Sequence, residues 1–144
     1  MKKIIVVLLL ATSPILFANE HSVDTISDRH IECMAKNLYF EARGEPLLGQ
    51  IAVAHVVLNR TRSDDYPSDI CSVIYEPRQF TWTANSRAKI KDWRLFLELK
   101  DLSKRVIMNT VKDPTQGALR FHRVKPQSRK SNRSTIIGNH IFYT

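Results

Sequence analysis

No CxxC pair and no HExxH run occurs anywhere in the 144 residues. The chain therefore has no local metal-ligand spacing, and neither a metal nor another cofactor is expected. No internal repeat is visible and nothing marks a second domain, which leaves one compact unit with a core large enough to hold itself together. There is no groove-reading or base-stacking signature, so positive charge alone is not read as nucleic-acid binding. An apolar run of comfortable membrane-spanning length is missing too: the N-terminal candidate is broken by Ser13 and Pro14. Acids are outnumbered, with 14 Asp and Glu against 22 Lys and Arg, a net charge of +8.

What the N-terminus does have is a leader pattern. Lys2 and Lys3 form a positive start, Ile4 to Ala11 a short apolar run, and Leu16-Phe17-Ala18 a cleavage site before Asn19. Residues 1–18 read as a signal peptide, 19–30 as a lead-in and 31–144 as the folded domain. An uncleaved anchor is the alternative, and either way the chain is expected to work outside the cytoplasm, periplasmic or secreted. The leader holds two lysines and no acid, so without it the net charge falls from +8 to +6. The remaining bases gather in RFHRVKPQSRKSNR, residues 120–133, either a solvated loop or a contact for anionic envelope polymers. Two cysteines, Cys33 and Cys71, remain. In an oxidising compartment an even pair suggests a disulfide, contributing on the order of 4 kcal/mol by restricting the unfolded chain. Two free buried thiols are the competing reading.

Ile31, Met34, Ala35, Leu38 and Ala42 recur at helical spacing and predict an amphipathic helix. Ser27 or Asp28 can cap its start, and Gly44 can take the left-handed conformation after its end. At roughly 100° per residue, Glu41 lies within about 20° of Met34, on the shoulder of the apolar stripe. Helix C-termini disfavour negative charge. A carboxylate so placed is either a solvated accident or a proton donor with a raised pKa. Pro46 opens a second helix, LLGQIAVAHVVLNRTRS, apolar nearly all round and hence central. His55 within it reads as a hydrogen-bonded core histidine rather than a catalyst. YPSDICSVIYEP predicts a short helix begun by Pro67 and ended before Pro77. QFTWTANS is a polar-aromatic loop. DWRLFLELKDLSKRVIMNTV is a long helix with Trp93, Phe96, Leu99, Leu102 and Val106 inward and Met108 a further candidate. DPTQG makes a turn, and ALRFHRV and STIIGNHIFYT alternate as two short strands. The class is α+β, mainly helical with a small terminal β element.

Three sets of residues stand outside the core pattern: Glu41 with Glu45; Gln79, Phe80 and Trp82; and His122, His140 and Tyr143. A carboxylate facing aromatics and amides suits cleavage of glycosidic bonds. The acid needs desolvation to stay protonated near neutral pH, and aromatic walls stack on sugar faces. Each set alone is weak. Together, LYFEARGEPLLGQIAVAHVVLNRTRS, YPSDICSVIYEPRQFTW, DPTQGALRFH and IGNHIFY resemble the cell wall hydrolase family typified by the spore cortex-lytic enzymes (SleB/CwlJ type), in family order over nearly all of residues 31 to 143.

That resemblance implies a lysozyme-like fold, with residues 31–144 as the catalytic domain and peptidoglycan glycan strands as substrate. It implies cleavage between N-acetylmuramic acid and N-acetylglucosamine, with Glu41 as the acid. Several members look like lytic transglycosylases, which leave 1,6-anhydro-muramic acid ends. A hydrolytic muramidase is the alternative: Glu45 would activate water if the two carboxyls lay roughly 6.5–9.5 Å apart. Otherwise Glu45 orients Arg43 or the turn at Gly44. Gln79, Phe80, Trp82 and Tyr143 are assigned to sugar binding, and His122 and His140 to holding the β side of the cleft. Family members often carry an aromatic soon after the proline of the terminal segment, and KPQSRKSN has none. A non-catalytic wall-binding or inhibitor module remains a competing reading, while a bacterial remodelling enzyme and a phage endolysin would look alike. A monomer is expected.

Overall fold

The computed structural model describes residues 27–125 and 134–144. The expected signal peptide, most of the lead-in and residues 126–133 of the basic segment lie outside the described residues. Five helical segments precede a small sheet: α1 (Asp28–Ala42), α2 (Leu47–Thr61), α3 (Ile70–Tyr75), a 3₁₀ turn (Thr81–Ala84) and α4 (Trp93–Ile107). The strands are β1 (Arg120–Arg123), β2 (Ser134–Ile137) and β3 (His140–Tyr143), in the order β1-β3-β2 with both pairings antiparallel. Among the described residues no helix is long and apolar enough to cross a membrane.

The expected stripe of α1, Ile31, Met34, Ala35, Leu38 and Ala42, is buried. It packs against α2, α3 and α4. Helix α2 is the central one, buried from Ile51 to Leu58 and again at Arg60. His55 inside it is a hydrogen-bonded core histidine: Nε2 meets the Val111 carbonyl at 3.0 Å, and burial lowers its pKa so that it stays neutral. The bridge Cys33–Cys71 ties α1 to α3, across Cα atoms 5.5 Å apart.

Local details differ from the expectations. Gly44 does not take a left-handed conformation, because α1 ends through Arg43 in helical geometry and Glu45 N–H bonds back to the Ala42 carbonyl at 2.9 Å. Helix α3 starts at Asp69 rather than Pro67, since the Asp69 carboxylate accepts Ser72 N–H at 2.8 Å and caps the first turn. Trp93 and Met108, at the two ends of α4, are 63% and 50% exposed, while Phe96, Leu99, Leu102 and Val106 between them are buried. The terminal β element has three strands, not two. STIIGNHIFYT folds back at Gly138-Asn139, where Ile137 pairs with His140 and Gly138 sits at φ 57°. A glycine first in a two-residue hairpin turn supplies the positive φ that such turns need.

The DPTQG turn forms as expected and carries β1 into place. Asp113 accepts from Thr115 N–H, Thr115 hydroxyl and Gly117 N–H at 2.7–2.9 Å, and from the Asn59 amide at 2.9 Å. The neighbouring Arg60, buried on α2, donates from Nε to the Leu119 carbonyl at 2.8 Å. Two consecutive α2 residues thus fix the approach of the sheet.

Candidate active site

The last turn of α1, the bend after it and the β2–β3 turn enclose a cleft of about 230 Å³. Its lining includes Phe40, Glu41, Glu45, Arg123, Asn139 and His140. Glu41 reaches it because its neighbours Leu38 and Ala42 are locked into the core. Among the described residues nothing donates a hydrogen bond to its carboxylate, and burial alone holds its pKa above the ordinary carboxylate value.

Glu45 has the opposite surroundings. Its Oε2 accepts Asn139 N–H at 2.8 Å, its Oε1 accepts the Asn139 amide at 3.1 Å, and His140 Nδ1 lies 3.6 Å away. Burial would raise its pKa, but the Asn139 donors, with His140 and Arg123 nearby, outweigh this and lower it. A Cβ on Gly138 would stand 2.2 Å from Glu45 Oε2, so the hairpin turn is shaped around this carboxylate. His140 is buried, its pKa lowered by desolvation against the pull of Glu45, and its ring meets Phe121 edge-on at 5.2 Å. It is a neutral spacer in the cleft wall.

The other candidate residues separate. Trp82 lies in a neighbouring hollow that shares Phe40 with the cleft; it stacks on Phe40 at 4.8 Å and donates from Nε1 to Asn37 Oδ1 at 3.2 Å. His122 and Tyr143 stack at 5.2 Å and meet through Nε2 and hydroxyl at 3.3 Å. They line a larger cavity, about 680 Å³, with Arg60 and Tyr66, and that cavity includes neither glutamate. Both glutamates line the smaller cleft. Gln79 does not line the Glu41 cleft. Phe80 is a core residue, 4% exposed, with the Arg60 guanidinium 5.5 Å over its ring, so it offers no free face for stacking on sugar.

Several cleft residues escaped the sequence reading. Phe40, Arg123 and Asn139 line the cleft, and Asn37 sits one helical turn before Glu41. Tyr39, buried, accepts Lys91 N–H and Asp92 N–H at 3.1 Å each and holds the start of α4. The i, i+4 relation of Asn37 to Glu41 was the available signal, a buried amide on the acid's own face.

A helix delivering one desolvated glutamate to a cleft opposite a small antiparallel sheet is a lysozyme-like arrangement. The chain belongs to the cell wall hydrolase family, which it matches over residues 44–143, a stretch beginning just past Glu41. It is 36% identical over 128 residues to the spore cortex-lytic enzyme of Bacillus cereus, covering 81% of this chain and 44% of that protein. It is 33% identical to that of Bacillus subtilis, covering 81% and 38%. The chain therefore spans less than half the length of these curated relatives. Among solved structures it is similar to the catalytic domain of the germination-specific lytic transglycosylase SleB from Bacillus anthracis, with a TM-score of 0.67 and 35% identity over 84% of this chain and 98% of that one. The catalytic domain of the Bacillus cereus SleB protein gives 0.64 and 35%, over 82% and 91%. The fold is the mainly helical α+β one that the sequence pattern predicted and the lysozyme-like one that the resemblance implied.

Proposed function

We propose that this chain cuts peptidoglycan glycan strands between N-acetylmuramic acid and N-acetylglucosamine as a lytic transglycosylase, with Glu41 as acid and base. The observation that carries this reading is the contrast between the two glutamates. Glu41 is desolvated and unengaged among the described residues, whereas Glu45 is committed to Asn139. Glu41 begins protonated and gives its proton to the leaving glycosidic oxygen. As carboxylate it then takes the proton of the muramic acid C6 hydroxyl, whose oxygen closes on C1. Atoms balance without water: one glycosidic bond breaks, one 1,6-anhydro bond forms, and Glu41 ends protonated as it began. Trp82, across Phe40 from the acid, supports sugar stacking.

The relatives' names and the leader pattern support action outside the cytoplasm, in periplasm or secretion, by a monomer whose basic residues 120–133 approach anionic envelope polymers. Mass spectrometry of digested peptidoglycan tests the chemistry. Muropeptides ending in 1,6-anhydro-muramic acid, lighter by one water than hydrolysis products, are expected. Reducing-end muramic acid as the main terminus would make the enzyme a muramidase, and uncut walls would make it a binding module.

A further inference from the structure

The far end of α1 carries a second constellation. A ring nitrogen of His30, a carboxylate oxygen of Asp69 and Cys71 Sγ all lie within 4.8 Å of one another. Cys71 is bonded to Cys33, so a second sulfur adjoins the group. His30 and Cys33 are three apart on α1 and share its face, while Asp69 and Cys71 sit at the start of α3. The four donors come from two short segments, a spacing that no single-segment motif would reveal.

We infer that, when the Cys33–Cys71 bridge is reduced, His30, Cys33, Asp69 and Cys71 form a binding site for a zinc-class divalent cation. Two thiolates, an imidazole and a carboxylate are a donor set that suits tetrahedral zinc. With bonds of about 2.0–2.3 Å, ligand atoms in such a site stand roughly 3.3–3.8 Å apart. The donors need shifts on the order of an ångström to reach that geometry. Asp69 is already oriented: its Oδ1 accepts Ser72 N–H and hydroxyl at 2.8 Å each, which leaves Oδ2 for the ion. The ion takes the place of the proton between Asp69 Oδ2 and His30 Nε2, now 2.5 Å apart. Arg29, 3.7 Å from the same oxygen and exposed, can swing into solvent. His30 and Asp69 side chains are each about one-third exposed, which gives the ion an entry.

The step balances. A dithiol reductant gives two electrons and two protons to the disulfide and is itself oxidised to a disulfide. Cation binding then releases both thiol protons. Where thiols are kept reduced the ion clamps α1 to α3, and where they are oxidised the disulfide does so.

The test is a cobalt titration of the full chain, reduced with a metal-silent phosphine and, in parallel, oxidised. The reduced protein should take up one equivalent with thiolate-to-cobalt charge transfer and the visible bands of a tetrahedral site, and zinc should bleach both. The oxidised protein should show neither. His30→Ala and Asp69→Asn should each weaken zinc binding by about tenfold or more, the scale on which even outer partners of a metal act. Reduced, folded protein without the bands would overturn the proposal, as would equal uptake by the oxidised form or unchanged affinity in both variants. If reduction melts the helices by circular dichroism, zinc should restore them, and failure to do so is equally fatal.

Discussion

Glu41 carries a carboxyl that burial holds above its ordinary pKa, with no donor among the described residues to offset the cost. Two predictions follow from that one environment. Glu41→Gln keeps the shape but has no proton to give, so wall lysis should be abolished while circular dichroism is unchanged; near wild-type clearing would refute the assignment. The same substitution should raise the melting temperature at neutral pH. A carboxyl whose folded pKa lies above its unfolded value binds its proton more tightly when folded, so its favourable contribution is present at low pH and lost as pH rises through the folded pKa. Above the unfolded carboxyl's pKa, burial of Glu41 lowers the stability of the native chain whether the group keeps its proton or releases it, and the amide removes that cost. Glu45 is the reverse case, since Asn139 rewards its charge. Glu45→Gln should lose about 1–2 kcal/mol in urea titrations yet retain measurable lysis. Activity as dead as in Glu41→Gln would move the mechanism to a two-carboxylate hydrolase.

Helices and strands transmit these demands to different degrees, and that decides what the sequence disclosed. The stripe of α1 was legible because Ile31, Met34, Ala35, Leu38 and Ala42 are apolar at one strict period, and packing then confirms the period. Placing Glu41 on the stripe's shoulder needed nothing more than that. The β2–β3 hairpin was not legible. Alternation runs on through STIIGNHIFYT, and only the positive φ of Gly138 and the carboxylate beneath it show where the chain turns back. Phe80 looked like a loop aromatic because its partners, Arg60 and Phe121, are remote in sequence. Trp93 looked inward because helical phase alone cannot tell that this first-turn residue stays 63% exposed while its ring meets Phe96 edge-on at 5.7 Å. Gly138→Ala tests the hairpin as an element. It adds a Cβ at positive φ against Glu45, so a loss on the order of 2 kcal/mol or more is expected. Tolerance of alanine there would mean that Glu45 moves freely and does not hold the turn.

Charge acts on the molecule as a whole. The chain carries +8, the Glu41 cleft includes Arg43 and Arg123, and Arg120 and Lys125 flank Arg123 in sequence. A wall polymer bearing carboxylates or phosphates should therefore be drawn to the sheet side before any sugar enters the cleft. Attraction to exposed bases such as Arg120, Arg123 and Lys125 must weaken as the Debye length shrinks to about 3 Å at 1 M salt. Desolvation of Glu41 is a buried effect and should be indifferent to salt over the same range. Lysis of intact walls should accordingly fall several-fold, on the order of one decade, between low and high salt, with the pH profile unshifted. Neutralising Lys125, Arg129, Lys130 and Arg133 together should flatten the salt dependence while sparing turnover on short uncharged glycans. Wild-type lysis that is unchanged from low to high salt would leave residues 120–133 as a solvated loop and return substrate capture to the aromatic side, at Trp82 and Phe40.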